Sequence, residues 1–219
     1  VIRVLVCDQS ALFRRHLILA LEHAPDIEVV GEAPDADVAR SAALQKAPDV
    51  AVLGGHLPPI GGVRTAAALR ESNPGIGLAL VYDPDDEREE RELRRALRVG
   101  VTGVLARGSA DETVVSVARA VAAGRPVIDA FAAQALLAEH DWPTSPADAA
   151  PLPPPPLDAR EQQVLEQLAA GWSTADTAGR LGLPVTTTTN LVTNALRKLQ
   201  RWARTTERAR RAEAQTAGS

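Results

Sequence analysis

Five short apolar segments, each followed by a stretch of helical spacing, constrain this chain more than any other feature. The segments are Ile2 to Val6 (IRVLV), Ile27 to Gly31 (IEVVG), Val50 to Leu53 (VAVL), Ile76 to Tyr82 and Gly103 to Ala106. Their lengths and flanking turn residues predict buried strands. Leu12 to Ala24, Ala36 to Gln45, Val63 to Ser72, Asp85 to Val99 and Asp111 to Ala123 read as the helices between and after them. Alternating strands and helices imply an α/β fold, a doubly wound five-stranded parallel sheet with helices on its faces. In such sheets, ligands and chemistry lie at the carboxyl ends of the strands. Here those ends carry Asp8, Gly54, Tyr82 and Arg107.

The pattern fades after Gly124. Ala130 to His140 reads as a linker helix, and Pro143, Pro146, Pro151 and the run Pro153 to Pro156 follow. A proline run is extended and stiff and packs no core, so the domain boundary is placed there. Beyond it the composition changes. Asp158-Ala-Arg-Glu161 is a capping box opening a helix with Val164, Leu165 and Leu168 on one face. Gly171 ends that helix, Ser173 or Thr174 caps a short one through Leu181, and Gly182 makes the next turn. A third helix starts near Pro184 to Thr187, with Thr188, Val192, Ala195, Leu196 and Leu199 inward. Short helix, glycine turn and longer helix with a polar outer face make a helix-turn-helix in a small all-α domain.

Charge supports the division. From Asp158 onward there are 9 basic and 6 acidic residues, a net of +3, against 15 and 22 before it, a net of -7. A basic tail on an acidic front suits a polyanionic partner for the tail. Hydrophobic residues make up 45% of the 219, enough for real cores. The single cysteine, Cys7, excludes an internal disulfide framework and a cysteine-rich zinc site, and reads as a buried structural thiol. His16, His23, His56 and His140 show no ligand spacing, so no metal is expected. Gly54-Gly55 and Gly61-Gly62 match no phosphate-binding or dinucleotide fingerprint and read as turns. No nucleophile-base pair or cofactor loop suggests an enzyme, and no cofactor is expected. No apolar run reaches the roughly 18 residues of a membrane span, and the first residues lack a signal-peptide layout. The expected location is cytoplasmic, with no membrane partner.

The segments "VLVCDQSALFRR", "APDIEVVGEA", "APDVAVLGGHLPPIGG" and "RVGVTGVLARG", followed by "LDAREQQVLEQLAAGWSTADTAGRLGLP", resemble the NarL/FixJ family of response regulators along nearly the whole chain. The resemblance implies a flavodoxin-like receiver over residues 1–125, a linker helix and proline-rich linker over 126–156, and a LuxR-type helix-turn-helix over 157–219. It also locates the receiver's phosphorylation pocket, which here is degenerate. The family pattern has two acidic residues after strand one, where this chain has Asp8 and Gln9. It has the phosphoacceptor aspartate at Gly54, a threonine or serine at Tyr82 and a lysine at Arg107. Aspartyl phosphorylation needs a carboxylate nucleophile and a Mg2+ held by about two protein carboxylates. Gly54 cannot attack, so a receiver that accepts no phosphate is expected, with Asp8 paired to Arg107 instead. Asp49 lies at the wrong end of strand three, and Asp83, Asp85 and Asp86 read as a solvated face rather than as surrogate acceptors. The degenerate pocket and alanine- and arginine-rich composition also resemble actinomycete developmental regulators of the WhiI-like kind.

In the tail the resemblance assigns double-stranded promoter DNA to the outer face of the third helix: Thr186, Thr187, Thr189, Asn190, Thr193, Asn194, Arg197, Lys198 and Arg201, with Ser173 and Thr174 before it. Asparagine can read adenine edges, threonine can meet bases or a thymine methyl, and the basic residues can neutralise phosphates. Arg204 is a further candidate for phosphate neutralisation. Four successive threonines, 186 to 189, are poor helix formers. Gln200 replaces the family's glycine before its last helix, so the third helix is expected to run on. Trp202 is open between packing on the helices and packing on a partner. The expected working form is a homodimer, or a heterodimer with another NarL/FixJ-type regulator. Its expected surface is Leu17, Leu21, Val114, Val117 and Val121 on the first and fifth receiver helices. The alternatives are a protein-interaction partner that modulates another regulator, or a receiver controlled by a small-molecule ligand.

Overall fold

The structure, a computed structural model, describes residues 1–86, 88–140 and 155–217. It comprises two compact units, Val1–Asp129 and Ala130–Ser219. The first is built from β1 (Ile2–Cys7), α1 (Ala11–Glu22), β2 (Ile27–Ala33), α2 (Ala36–Lys46), β3 (Val50–Gly54), α3 (Gly62–Ser72), β4 (Gly77–Tyr82), α4 (Glu89–Val99), β5 (Gly103–Ala106) and α5 (Asp111–Ala122). The strands form one sheet in the order β2-β1-β3-β4-β5, and every pairing is parallel. This is the flavodoxin-like doubly wound order, with its switch point between β1 and β3. Every residue of β3 is buried, as a strand covered on both faces requires.

Helix α4 begins four residues later than expected. The backbone N–H of Asp85 donates to the Asp83 carboxylate at 3.1 Å, and that of Asp86 to the Asp83 carbonyl at 3.2 Å. These local bonds favour a turn over the first helical turn at that point.

The core beneath α1 and α5 joins Val4, Val6, Val52 and Val81 of the sheet to Leu17, Leu21, Val114, Val117 and Val121. The last five were the expected dimer surface, and that expectation is corrected. None is more than 3% exposed, because the apolar stripes of both helices face the sheet. The exposed large apolar residues of α1 are Leu12 and Leu19, at 82% and 41%. Across the edge of this layer, Arg119 of α5 grips Asp26 before β2 with two hydrogen bonds, 2.6 and 2.8 Å. The guanidinium holds the Asp26 carboxyl below its ordinary range. After α5 the chain runs back along β5. Val127 bridges Gly103 in parallel, its N–H on the Thr102 carbonyl at 2.8 Å and its carbonyl accepting from Val104 at 2.9 Å.

The second unit holds α6 (Ala130–His140), α7 (Ala159–Ala169), α8 (Thr174–Leu181) and α9 (Val185–Ala217). Helix α6, expected as a linker helix, packs on α7; its Ala132, Ala133, Ala135 and Leu136 are buried, and Gln134 donates to the Ala169 carbonyl at 3.1 Å. Residues 143 to 154 of the proline-rich linker lie outside the described residues. The capping box is formed: Asp158 accepts from the Glu161 N–H at 2.9 Å, and Glu161 accepts from the Asp158 N–H at 2.9 Å. Gly182, with φ +64°, closes α8 in the left-handed region that glycine adopts without strain. Beyond it α9 is one helix of 33 residues. Among the described residues, no helix is long and apolar enough to cross a membrane.

Candidate receiver pocket and nucleic-acid interface

Asp8 follows β1 at the carboxyl edge of the sheet, and its residue is 1% exposed. A buried carboxylate needs partners. One oxygen accepts the Ser10 N–H at 2.8 Å, and the other accepts from the Arg107 guanidinium at 2.7 Å. Arg107 stands after β5, its N–H on the Tyr82 carbonyl at 2.7 Å, and its guanidinium lies 3.9 Å from the centre of the Phe13 ring. Phe13 therefore covers one side of the cation, which strengthens the pair by excluding water. The Asp8–Arg107 pairing expected from the sequence is present.

Gly54 closes β3 directly beside this pair. A Cβ built on Gly54 would lie 2.1 Å from the Asp8 Oδ2 and 2.9 Å from its Cγ. The Asp8 carboxylate thus occupies the space that a side chain at position 54 would need. The pocket is filled by a neighbour, and Gly54 is what admits it. The magnesium site that the family resemblance implies does not fit these residues. Gln9, exposed, stands where a second carboxylate is needed, and both Asp8 oxygens already have protein partners.

The other pocket positions point elsewhere. The Tyr82 ring is buried, and its hydroxyl donates to Asp129 Oδ2 at 2.6 Å. Burial, and then this carboxylate, push the Tyr82 phenol above its ordinary range. Asp83 and Asp86 accept backbone N–H groups of their own turn, and Asp86 lies 3.2 Å from His56. Asp49 accepts the Arg3 N–H at 2.8 Å, at the opposite end of the sheet. Cys7 is fully buried, and burial pushes its thiol pKa upward.

In the second unit the outer face of α9 is laid out by its inner one. Thr188, Val192, Ala195, Leu196 and Leu199 are buried, as expected, and so is Trp202. That fixes Thr186, Asn190, Asn194, Arg197 and Arg201 on the solvent side, all exposed. Thr187, Thr189 and Thr193 flank this stripe, half-buried. The threonine run is helical despite its low propensity, and two of its hydroxyls bond back one turn: Thr188 to the Pro184 carbonyl at 3.3 Å and Thr189 to Val185 at 3.0 Å. Thr193 does the same to Thr189 at 2.8 Å. The half-buried Thr189 and Thr193 keep an acceptor site and a methyl group for a ligand, but their hydroxyl proton is spent. Ser173 is the α8 cap, accepting the Asp176 N–H at 3.1 Å, while Thr174 begins the helix.

Lys198 requires a correction. It is not a free phosphate-binding cation as the sequence suggested. Its Nζ sits 2.6 Å from Glu161 Oε2, and the Glu161 side chain is 1% exposed. A capping-box glutamate buried under α9 must have a cation beside it, and Lys198 is that cation. The spacing of polar residues along α9 gave no sign of this, because the partner lies on α7. The Asp129 carboxylate under Tyr82 was missed for the same reason.

Three comparisons bear on identity. Residues 155–206 match the sequence profile described as bacterial regulatory proteins, luxR family. The chain is 30% identical over 198 residues to the probable transcriptional regulatory protein NarL of Mycobacterium tuberculosis, covering 90% of this chain and 88% of that one. It is 27% identical to the oxygen regulatory protein NreC of Staphylococcus epidermidis, covering 90% of each. Among solved structures, the signal receiver domain of the Mycobacterium tuberculosis NarL superposes with TM-score 0.53 at 31% identity, over 57% of this chain and 98% of that one. The response regulator ChrA of a heme-sensing two-component system superposes with TM-score 0.53 at 25% identity, over 96% and 98%.

Proposed function

We propose that this chain, which belongs to the NarL-like family of DNA-binding transcriptional response regulators, controls transcription without phosphorylation of its receiver. The observation that carries the proposal is the Asp8 carboxylate seated where a side chain at position 54 would stand, bound to Arg107. The nucleophile is missing and its space is taken, so neither a phosphoryl group nor a metal finds its ligands. The receiver then serves as a fixed platform, and Arg107 ties the end of β5 to the end of β1 through Asp8. The same filling leaves little room there for a small-molecule ligand.

The DNA surface we assign is the exposed stripe of α9, with Asn190 and Asn194 as base readers and Arg197 and Arg201 on phosphates. One helix-turn-helix covers one half-site, so we assign a two-subunit form, either two copies of this chain or one with a related regulator. Leu12 and Leu19 are the exposed large apolar positions of α1 available to such contact. The test is a gel shift on candidate promoters, with and without acetyl phosphate and Mg2+, alone and mixed with related regulators. Binding that is indifferent to the phosphodonor is expected. A shift that requires the phosphodonor with this chain alone overturns the proposal.

A further inference from the structure

We infer that the C-terminal half of α9 is a second DNA-binding element, a basic arm that follows the phosphate backbone after the helix leaves the groove. The inference rests on the DNA-binding reading of α9 and extends it past the residues that read bases.

Helix α9 does not break at Gln200, so its two halves share one axis and one set of faces. At about 100° per residue, Arg197, Arg201, Arg204 and Arg208 lie within about 60° of one another. Thr186, Asn190 and Asn194 fall on the same side. All seven are exposed. The opposite face, with Leu199, Trp202 and Thr206, is buried, so packing fixes the direction of the stripe. Its chemistry changes along its length, from threonine and asparagine to arginine alone.

None of these four arginines pairs with an acid among the described residues. Some arginines of the first unit are paired, Arg14 with Glu32, Arg95 with Glu92 and Arg119 with Asp26, whereas among the described residues Arg40 and Arg64 are not; what sets α9 apart is four unpaired arginines on one face. Like charges three and four residues apart disfavour a helix, so the stripe is maintained against the stability of α9. That arrangement suits a partner of opposite charge. Duplex DNA carries one negative charge per roughly 1.7 Å of axis. The major groove is about 12 Å wide, and Thr186 to Arg197 already spans about 17 Å of helix. A straight helix continuing beyond it must pass the bounding backbone, and Arg201, Arg204 and Arg208 are what it presents there. A second copy of the chain is a poor occupant, because the exposed stripe offers no apolar residue and would set arginine against arginine.

The test uses the full chain and a mixed-sequence duplex of about three helical turns, with affinity measured across a salt series. Each phosphate contact adds about 0.9 to the slope of log K against log salt. Arg204→Gln with Arg208→Gln is expected to flatten the slope by about 1.8. Arg204→Lys with Arg208→Lys should restore it. Arg40→Gln with Arg64→Gln, which removes the same charge from the first unit, should leave it unchanged. Equal helical circular dichroism verifies the fold of each variant. The inference is overturned if the first pair keeps the parental slope, if the Arg40 and Arg64 pair flattens it equally, or if sedimentation shows that the first pair instead breaks self-association. If the parent chain shows no salt-dependent duplex binding at all, the DNA-binding reading fails together with the arm.

Discussion

At Gly54 the absent side chain matters less than what has taken its place. The missing nucleophile was legible in the sequence once the strands were placed. The Asp8–Arg107 pair was legible too, since both charges lie at the carboxyl edge of one parallel sheet, after β1 and after β5. The steric coupling was not, because it depends on which way the Asp8 carboxylate turns. It can be measured. Gly54→Ala places a methyl against Asp8 and should destabilise the chain by about 1–3 kcal/mol in urea unfolding. In an Asp8→Ala background the same substitution should cost far less, giving a coupling in a double-mutant cycle. Additive effects would show that Asp8 does not fill the site. Tyr82 offers a second measurement, because it is the chain's only tyrosine. Its folded pKa is raised, so the folded state holds the proton more tightly than the unfolded one. Stability linked to it is present below the ordinary tyrosine value of about 10 and is lost as pH rises beyond it. Phenolate absorbance should therefore appear only with unfolding, and ionisation near pH 10 in the folded chain would contradict the buried bond to Asp129.

Among the elements, α9 divides its basic residues by direction. Lys198 points inward to Glu161, whereas Arg197 points out. Lys198→Ala leaves a buried carboxylate with only the Asp158 N–H and no cation, and should cost about 2–4 kcal/mol of stability. Arg197→Ala should leave stability nearly unchanged, weaken binding to all DNA and lower the salt slope by about one. Thermal melts and a salt series on both variants separate the roles, and a reversed pattern would refute the assignment. Asn190→Ala should instead cost about 1–3 kcal/mol on the cognate site alone. Periodicity placed α9 and its buried face correctly, through Thr188, Val192 and Leu199. It could not show whether Leu17, Leu21 and Val114 faced the sheet or a partner. An apolar stripe looks the same in both cases, and only the packing of α1 and α5 decides it.

Across the whole molecule, an acidic unit with glycine at the position the family resemblance gives to the phosphoacceptor is joined to a helical unit that ends in an arginine-rich helix. The alternating pattern and the capping box made both folds readable from the sequence, since each depends on local spacing. What remained hidden were the pairings between distant elements, Lys198 with Glu161 and Tyr82 with Asp129, which local spacing does not encode. The proposed function predicts an activity set by abundance and by the subunit the chain joins, rather than by a phosphoryl switch. The most direct test is chemical. The full chain is incubated with acetyl phosphate and Mg2+ and its intact mass is recorded before and after. The mass is predicted to stay unchanged, whereas a labile gain of one phosphoryl group mapping to the first unit would contradict the account.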